Sequence, residues 1–350
     1  MTIFTWKRLF ILTSLLAGHM ALAADSLVSA ATRQQLADAF ARDYAQQHQQ
    51  SLNQVRAILA QARFRPEIIT AMQRPAEKKS WYQYRPIFLT DKRVAAGVEF
   101  MRANRHILEK VSAETGVPAE IITAIIGVET YYGRITGKYR VLDALTTLAF
   151  GYPKRAPFFR KELAHFLQLA DEENLSLTET TGSYAGAMGY GQFMPSSYRH
   201  YARDYDGDGK RDLLHSVPDA IASVANYFKE HGWQAGQPVA YPLQASPAAR
   251  HFAAEKRPQK PSYSWRTLAD WGYRLKAGTS VPESVLNPQM RLSLVVLEQP
   301  HSKEYWAALP NFYVITRYNH SPLYAMAVYQ LAEAIKQAQS QKTDRQGEKN

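Results

Sequence analysis

The sequence predicts a mainly α-helical protein of the α+β class, with one small β-containing region. Apolar residues recur at three- and four-residue spacing through most of the 350 residues, which is the period of amphipathic helices. Residues 291–297, RLSLVVL, have the β-branched and partly alternating pattern of a strand instead. Hydrophobic residues make up 46% of the chain, which is enough to bury one large core or two to three smaller ones.

The first 23 residues have the features of a secretory signal. Lys7 and Arg8 precede an apolar run over residues 9–17, and the small-x-small arrangement that signal peptidase recognises follows at residues 21–23. The apolar run is shorter than the roughly 20 residues that a membrane-spanning helix needs. We therefore expect residues 1–23 to be a signal peptide and the mature chain to begin near Ala24.

The chain contains no cysteine, which excludes disulfides, thiol catalysis, thiolate metal sites and a lipid-anchored N-terminal Cys. Residues 16–18 resemble the start of a lipoprotein site, but His19 follows where Cys would stand. A soluble periplasmic protein is the simpler prediction. The net charge of +11 comes from scattered basic residues rather than a Lys/Arg run, so we do not expect nucleic acid as a partner.

The remaining elements follow in chain order. Helical periodicity covers residues 26–72 and, after a break at Arg74-Pro75 and an aromatic segment at 80–90 that Pro86 interrupts, residues 91–112. A further helix is predicted over 217–231. Residues 311–319 have a strand- or loop-like pattern, and apolar residues at helical spacing return over 322–337.

Glu129 is the first candidate for chemistry. It follows an almost wholly apolar helix that opens near Pro118, and it lies on the face that carries Ile122, Ile125 and Ile126. Desolvation and the negative end of a helix that we expect Gly133 to close both favour the protonated, proton-donating carboxyl. The alternative from periodicity alone is a Glu that reaches solvent or pairs with Arg134.

A glycine-rich segment at residues 183–195, SYAGAMGYGQFMP, is the second candidate. Its glycines allow positive φ and close approach of the backbone to a ligand, and Gln192 can both donate and accept hydrogen bonds. The segment lacks the order and the preceding strand of a nucleotide-binding loop. It suits a loop that grips sugar amides, or else a connector into the next helix.

Four separated blocks together resemble the membrane-bound lytic murein transglycosylase B family. They are GVET with GR at residues 127–134, AGAMGYGQFMPSSY at 185–198, SVANYF at 223–228, and LPNFY with ITRYNHS at 309–321. Their order and spacing cover nearly the whole mature chain. The resemblance implies a lysozyme-like helical core with a helical N-terminal region and a small β-containing subdomain.

The resemblance also implies an activity and a set of site residues. The family cleaves the β-1,4 bond between N-acetylmuramic acid and N-acetylglucosamine of peptidoglycan and forms a 1,6-anhydromuramoyl end. Glu129 would act as acid and then as base, without a catalytic cofactor. The residues that would bind the glycan are Ser183, Met188, Gln192, Phe193, Tyr227, Tyr318, Asn319, Tyr324 and, with the loosest match, Tyr84.

With the family as guide, we divide the chain into six parts and expect a monomer that works on glycan strands, alone or beside other cell-wall enzymes. The parts are a signal peptide (1–23), a helical N-terminal region (24–112), a lysozyme-like catalytic core (113–235), a small β-containing subdomain (236–310), a return to the core with a C-terminal helix (311–340) and a polar tail (341–350). The family's best-known members carry a lipid-anchoring Cys, and this chain does not.

The acidic loop DYDGDGK at residues 204–210 matches the first half of an EF-hand, including glycine at its sixth position. Its twelfth position is His215, which cannot supply the usual bidentate carboxylate, so Asp219 would close a lengthened loop. In the resembling family such a loop binds calcium. We favour a structural Ca²⁺ site with ligands from Asp204, Asp206, Asp208, Lys210 and Asp219; the alternative is that Ser216 and Asp219 cap the next helix.

Two other functions stay open. A muramidase would hydrolyse the same bond with water, usually with a second carboxylate, for which Asp143 is the candidate despite its helix-boundary setting. A non-catalytic peptidoglycan-binding protein is the third, although the presence of both Glu129 and Gln192 argues against it. The sequence does not distinguish endo- from exo-lytic cutting.

Overall fold

The computed structural model describes residues 28–73 and 79–347, so the predicted signal peptide and the break at Arg74-Pro75 lie outside the described residues. Over these ranges the mainly helical prediction is confirmed. The α-helices are α1 (Ala30–His48), α2 (Leu52–Leu59), α3 (Pro66–Met72), α4 (Trp81–Phe88), α5 (Asp91–Ala103), α6 (Arg105–Thr115), α7 (Ala119–Thr130), α8 (Val141–Gly151), α9 (Ala156–Glu173), α10 (Pro195–Tyr201), α11 (Val217–Glu230), α12 (Trp265–Asp270), α13 (Pro310–Tyr318) and α14 (Pro322–Gly347). The strands are β1 (Tyr139–Arg140), β2 (Thr181–Gly182), β3 (Ala240–Ala245), β4 (Tyr273–Leu275), β5 (Ser293–Glu298) and β6 (Lys303–Ala308).

Helix α7 is the centre of the main hydrophobic core. Every residue from Ile121 to Val128 is buried, because α5, α6, α11 and α14 pack around it. A helix that is apolar on all sides is stable only in such a position. It ends two residues earlier than the sequence suggested: Tyr131, not Gly133, is the C-cap, and Tyr131, Tyr132 and Gly133 all have left-handed φ.

The β-containing region is a four-stranded antiparallel sheet in the order β4-β3-β6-β5, and β5 confirms the strand predicted over residues 291–297. One face of the sheet packs on α12 and the segments around it and forms a second, smaller core. Leu243, Leu268, Tyr273 and Leu292 are almost completely buried there. The two-residue strands β1 and β2 pair elsewhere and bring Arg140 opposite Thr181.

Two predictions for single segments are wrong. Residues 311–319 are mostly helical: Pro310 opens α13, and Val314, Ile315 and Thr316 are buried on it. The β-branched residues suggested a strand, but burial against neighbouring helices overrides that weak preference. The aromatic segment at 80–90 contains helix α4 despite Pro86, because this short helix buries Trp81 and Tyr84 almost completely.

Within the part of the chain that the structure describes, no single helix is both long and apolar enough to cross a membrane. Only α6 and α7, separated by a bend of 113°, reach that length and composition when they are taken together.

Candidate active site

Glu129 lies in the last turn of α7 and is partly exposed, whereas the residues before it are buried. The hydroxyl of Tyr324, in the first turn of α14, donates a hydrogen bond of 2.6 Å to Glu129 Oε1. Because Tyr324 is only 3% exposed, this contact fixes the carboxyl at the edge of the core. A carboxyl held in this way can exchange a proton with a ligand from a defined position.

Aromatic rings extend from Glu129 toward the glycine-rich loop. Tyr318 stacks on Tyr324 with an interplanar angle of 7°, and its hydroxyl donates to Gly191 O at 2.5 Å. Phe193 and Tyr227 pack against Tyr318, and the Tyr227 hydroxyl donates to a backbone carbonyl of α13 at 2.6 Å. Burial, reinforced by the nearby Glu129 charge, raises the pKa of Tyr318 and Tyr324 well above its ordinary value. Both hydroxyls therefore stay protonated donors.

The glycine-rich segment forms a tight loop whose shape depends on its backbone. Met188 and Phe193 are buried and exchange two backbone hydrogen bonds, of 2.9 and 3.0 Å, across the turn. Gly189 has φ +70°, and a Cβ there would lie 2.1 Å from Leu213 O, so only glycine fits. The structure thus places Met188 and Phe193 as packing beneath the site rather than as exposed groups.

Ser183 and Gln192 lie at the two ends of this loop and are both partly exposed. Ser183 Oγ accepts from Ala187 N at 3.0 Å, which closes the loop. Gln192 has φ +51°, an unusual value for a residue other than glycine, and its Nε2 donates to Thr136 O at 2.9 Å. Backbone strain of this kind is often found at functional sites.

Tyr84 and Asn319 approach the site from two further elements. Tyr84 lies on α4, is 1% exposed, and is near enough to Tyr324 to contribute to the raised pKa of that hydroxyl. Asn319 is the extended C-cap residue of α13 and directly follows Tyr318. Printed contacts connect Glu129 through Tyr324 to Tyr318, and Phe193 and Tyr227 pack against Tyr318 in turn.

The contacts that hold the end of α7 could not be predicted from the sequence. Thr130 Oγ1 lies 2.9 Å from Tyr190 O, a carbonyl of the glycine-rich loop, and it accepts from Gly133 N at 2.9 Å. One hydroxyl therefore joins the end of α7 to that loop. The only local signal was the pair of tyrosines before Gly133, which does not mark a left-handed turn.

The side chain of Asp143, the candidate second carboxylate, forms contacts that hold two segments of the fold together. It lies in the first turn of α8 and is 2% exposed. Its Oδ1 accepts from Arg63 N at 2.9 Å and lies 3.3 Å from the guanidinium of Arg140. These contacts tie the segment before α3 to α8, as expected for a residue at a helix boundary.

The acidic loop brings three carboxylates together. One oxygen each from Asp204, Asp206 and Asp219 lies within 4.8 Å of the others. Asp219 is fully buried and accepts backbone hydrogen bonds from Tyr205 and Asp212, both 2.8 Å long. Burial is the main cause that raises the pKa of Asp219, so its carboxylate is destabilised there unless a cation is near.

The helix-cap alternative is present as well, since Ser216 is the N-cap of α11 and its Oγ accepts from Asp219 N at 3.3 Å. The two arrangements are compatible, because capping uses the backbone of Asp219 and the cluster uses its carboxylate. Asp208 lies outside the three-carboxylate cluster, and its Oδ1 accepts from Lys210 N at 2.8 Å.

A family model described as the transglycosylase SLT domain matches residues 32–333 of the chain. Over 300 residues the chain is 44% identical to membrane-bound lytic murein transglycosylase B of Escherichia coli strain K12. The aligned region covers 82% of this chain and 79% of that protein.

Solved structures of similar sequence have the same fold. Soluble lytic transglycosylase SltB1 from Pseudomonas aeruginosa superimposes with a TM-score of 0.78 at 43% identity, covering 87% of this chain and 99% of the other. Lytic transglycosylase Slt35 from Escherichia coli, in complex with calcium, gives a TM-score of 0.78 at 41% identity, covering 87% and 94%.

Proposed function

This chain belongs to the transglycosylase SLT domain family, and we propose that it is a lytic transglycosylase of peptidoglycan in which Glu129 alone serves as acid and then as base. The activity is that of its relatives, cleavage of the β-1,4 bond between N-acetylmuramic acid and N-acetylglucosamine with formation of a 1,6-anhydromuramoyl end. The observation that carries the residue assignment is that Glu129 is partly exposed in the last turn of a buried helix and accepts a 2.6 Å hydrogen bond from Tyr324.

In the first step, protonated Glu129 donates its proton to the glycosidic oxygen. The bond from that oxygen to C1 of the muramoyl sugar breaks, and N-acetylglucosamine leaves with the proton on its O4. The acetamido oxygen of the muramoyl sugar meets the positive charge that develops at C1. Glu129 is left as a carboxylate, which Tyr324 stabilises by its hydrogen bond.

In the second step, the Glu129 carboxylate takes the proton from the C6 hydroxyl of the same sugar. O6 then bonds to C1, and Glu129 returns to its protonated state without consumption of water. The intramolecular hydroxyl has a large advantage over water, since effective molarities can reach roughly 10⁵ M and above. One carboxyl is sufficient for this cycle, and Asp143 is engaged elsewhere.

The glycan-binding residues have two kinds of role in this proposal. Ser183, Gln192 and Asn319 offer polar groups at the rim of the site that can orient the sugar amides. Tyr318 is partly exposed and can offer its ring to a sugar. Tyr84, Tyr227 and Tyr324 are buried and, like Met188 and Phe193, would shape the site from behind. Aromatic rings beside polar groups are typical of sites that bind sugars through both their apolar faces and their hydroxyls.

We test the assignment by the substitution Glu129→Gln, which keeps the shape of the side chain but cannot transfer the proton. General acid–base catalysis contributes roughly 10²–10⁴-fold, so release of anhydro-muropeptides from purified sacculi should fall by at least about that factor. Glu120→Gln, a change of the same type at the start of α7, is the control and should leave the activity near wild type. Retention of more than about a tenth of the activity by Glu129→Gln would exclude its role.

We also infer that the acidic loop binds calcium with a structural role. Calcium–oxygen distances are about 2.3–2.6 Å, so ligand oxygens around one ion lie up to about 5 Å apart, which the three carboxylates match. Asp204, Asp206 and Asp219 would hold the ion and join the loop to α11, with Asp208 and the Lys210 carbonyl as further ligands. The calcium complex of Slt35 supports this proposal.

For its location, we propose an exported, periplasmic enzyme. The support is the signal-like sequence at residues 1–23. We expect a monomer whose substrate is the glycan strand.

A further inference from the structure

We infer that Arg93 is a positioning residue for Glu129: its guanidinium holds the last turn of α7 and joins that turn to α4. The inference rests on the proposed role of Glu129. Arg93 lies in the first turn of α5 and is only partly exposed. It is not among the residues that the sequence motifs mark.

The main contact is with the backbone of the catalytic helix. Arg93 Nη1 donates to Gly127 O at 2.5 Å, and the same carbonyl accepts from Tyr131 N at 3.1 Å, the hydrogen bond that closes the helix. Gly127 and Tyr131 stand two residues before and two residues after Glu129. One carbonyl oxygen with two donors therefore fixes the segment that carries the carboxyl.

A second contact runs in the opposite direction between the same helices. The hydroxyl of Tyr132, which follows the end of α7, donates to Arg93 O at 2.8 Å. Its ring lies on Gly127, where a Cβ would be 2.6 Å from Tyr132 Cε1, so the glycine allows this close packing. Helices α5 and α7 are thus linked by two hydrogen bonds, one from each side.

The other arm of the guanidinium reaches α4. Arg93 Nη2 donates to Ile87 O at 3.4 Å, and the guanidinium lies over the rings of Phe88 and Tyr131, at 5.4 and 4.8 Å from their centroids. Helix α4 also carries Tyr84, which contributes to the environment of Tyr324. The position of Arg93 therefore links the helix of Glu129 to the helix of a predicted glycan-binding tyrosine.

The charge of Arg93 suits this position. A cation at the C-terminal turn of a helix interacts favourably with the helix dipole, which otherwise disfavours a carboxylate there. Glu129 must become a carboxylate after its first proton transfer, so a cation in this turn favours that intermediate state. Arg93 Nε is buried without a hydrogen-bond partner among the described residues, so the two carbonyls and the flanking rings determine where the group lies.

The test compares steady-state kinetics of Arg93→Ala, Arg93→Lys and the wild type, with release of anhydro-muropeptides from soluble glycan strands as the readout. Displacement of a reacting group by about 1 Å can cost about 10²-fold, so we expect Arg93→Ala to lower kcat by about that factor while KM changes little. Arg93→Lys keeps the charge but cannot reach both carbonyls, and we expect an intermediate kcat. Lys92→Ala is the matched control, because it removes an exposed cation from the adjacent position of α5.

Tyr132→Phe separates positioning from helix packing. It removes the other hydrogen bond between α5 and α7 but leaves the Arg93 contact with Gly127 O, so we expect a lower Tm and a kcat near wild type. The inference is overturned if Arg93→Ala and Arg93→Lys keep the kcat of Lys92→Ala, or if their loss lies in KM. It is also overturned if Tyr132→Phe lowers kcat as much as Arg93→Ala does. Full activity of Glu129→Gln would instead contradict the proposed function itself, whatever the Arg93 variants show.

Discussion

Tyr324 donates a 2.6 Å hydrogen bond to Oε1 of Glu129 across 195 residues of sequence. Because burial raises the pKa of Tyr324 well above its ordinary value, the hydroxyl is a donor in both steps of the cycle and does not compete with Glu129 as a base. The contact therefore stabilises the carboxylate state and orients the carboxyl.

Tyr324→Phe should lower kcat by about 10- to 100-fold, since a hydrogen bond to a charged group contributes about 1.5–3 kcal/mol. The substitution keeps the stack with Tyr318, so the fold should persist. The measurement is the rate of anhydro-muropeptide release, with the circular dichroism spectrum as the control for folding. Tyr329→Phe, which removes another hydrogen-bonded and partly buried hydroxyl of α14, should leave kcat close to that of the wild type. Equal rates for the two variants would contradict the role of Tyr324.

Calcium should raise the Tm of the purified protein, because an ion that binds only the folded state stabilises it by mass action. Asp206→Ala should remove the effect, since Asp206 belongs to the three-carboxylate cluster. Asp208→Ala, in the same loop but outside the cluster, should reduce the shift less. Differential scanning fluorimetry with excess calcium and with chelator measures both. Identical melting curves of the wild type in the two conditions would leave only the helix-capping role of Ser216 and Asp219.

Acidification should destabilise the protein through His231, which stacks on Tyr227 at 4.0 Å. Burial is the largest cause that lowers the pKa of His231 below its ordinary value of 6.5. The unfolded chain then binds the proton more readily than the folded one, so the stability contributed by neutral His231 is present above about pH 6.5 and is lost as the pH falls through the folded-state pKa.

Urea unfolding at a series of pH values below about 6.5 measures this effect. The free energy of unfolding of His231→Gln should fall less steeply with pH than that of the wild type. His301→Gln, at an exposed position on the sheet side of the molecule, is the control and should follow the wild type. The same slope for all three proteins would show that His231 does not contribute.

The sequence was most informative where the signal is local. The apolar helix before Glu129, the glycine-rich loop and the strand at residues 291–297 could each be predicted from the residues of one continuous segment. The contact of Tyr324 with Glu129 joins residues far apart in the chain, and only the family resemblance pointed to Tyr324.

The errors have the same physical origin. Val314, Ile315 and Thr316 favour a strand by propensity, yet neighbouring helices bury them on α13. Likewise, Arg93 resembles any surface arginine of an amphipathic helix until the fold places Gly127 O beside it. Residues whose role depends on a distant carbonyl have no spacing that a single sequence could reveal.

The last prediction concerns Asp143 and the product. Asp143→Asn keeps an oxygen that can accept from Arg63 N, so the fold should tolerate it and the enzyme should still release 1,6-anhydro ends at a rate near wild type. Asp143→Ala leaves Arg63 N and Arg140 without this partner, and we expect it to cost about 1–3 kcal/mol of stability.

Digestion in oxygen-18 water distinguishes the two reactions, because the intramolecular attack of O6 on C1 incorporates no solvent oxygen, whereas hydrolysis labels a reducing muramic end. Since Asp143 is 2% exposed and bonded to the segment before α3, it cannot also activate a water at the sugar. Labelled reducing ends from the wild type that disappear in Asp143→Asn would show that the enzyme is a hydrolase with Asp143 as its second carboxylate.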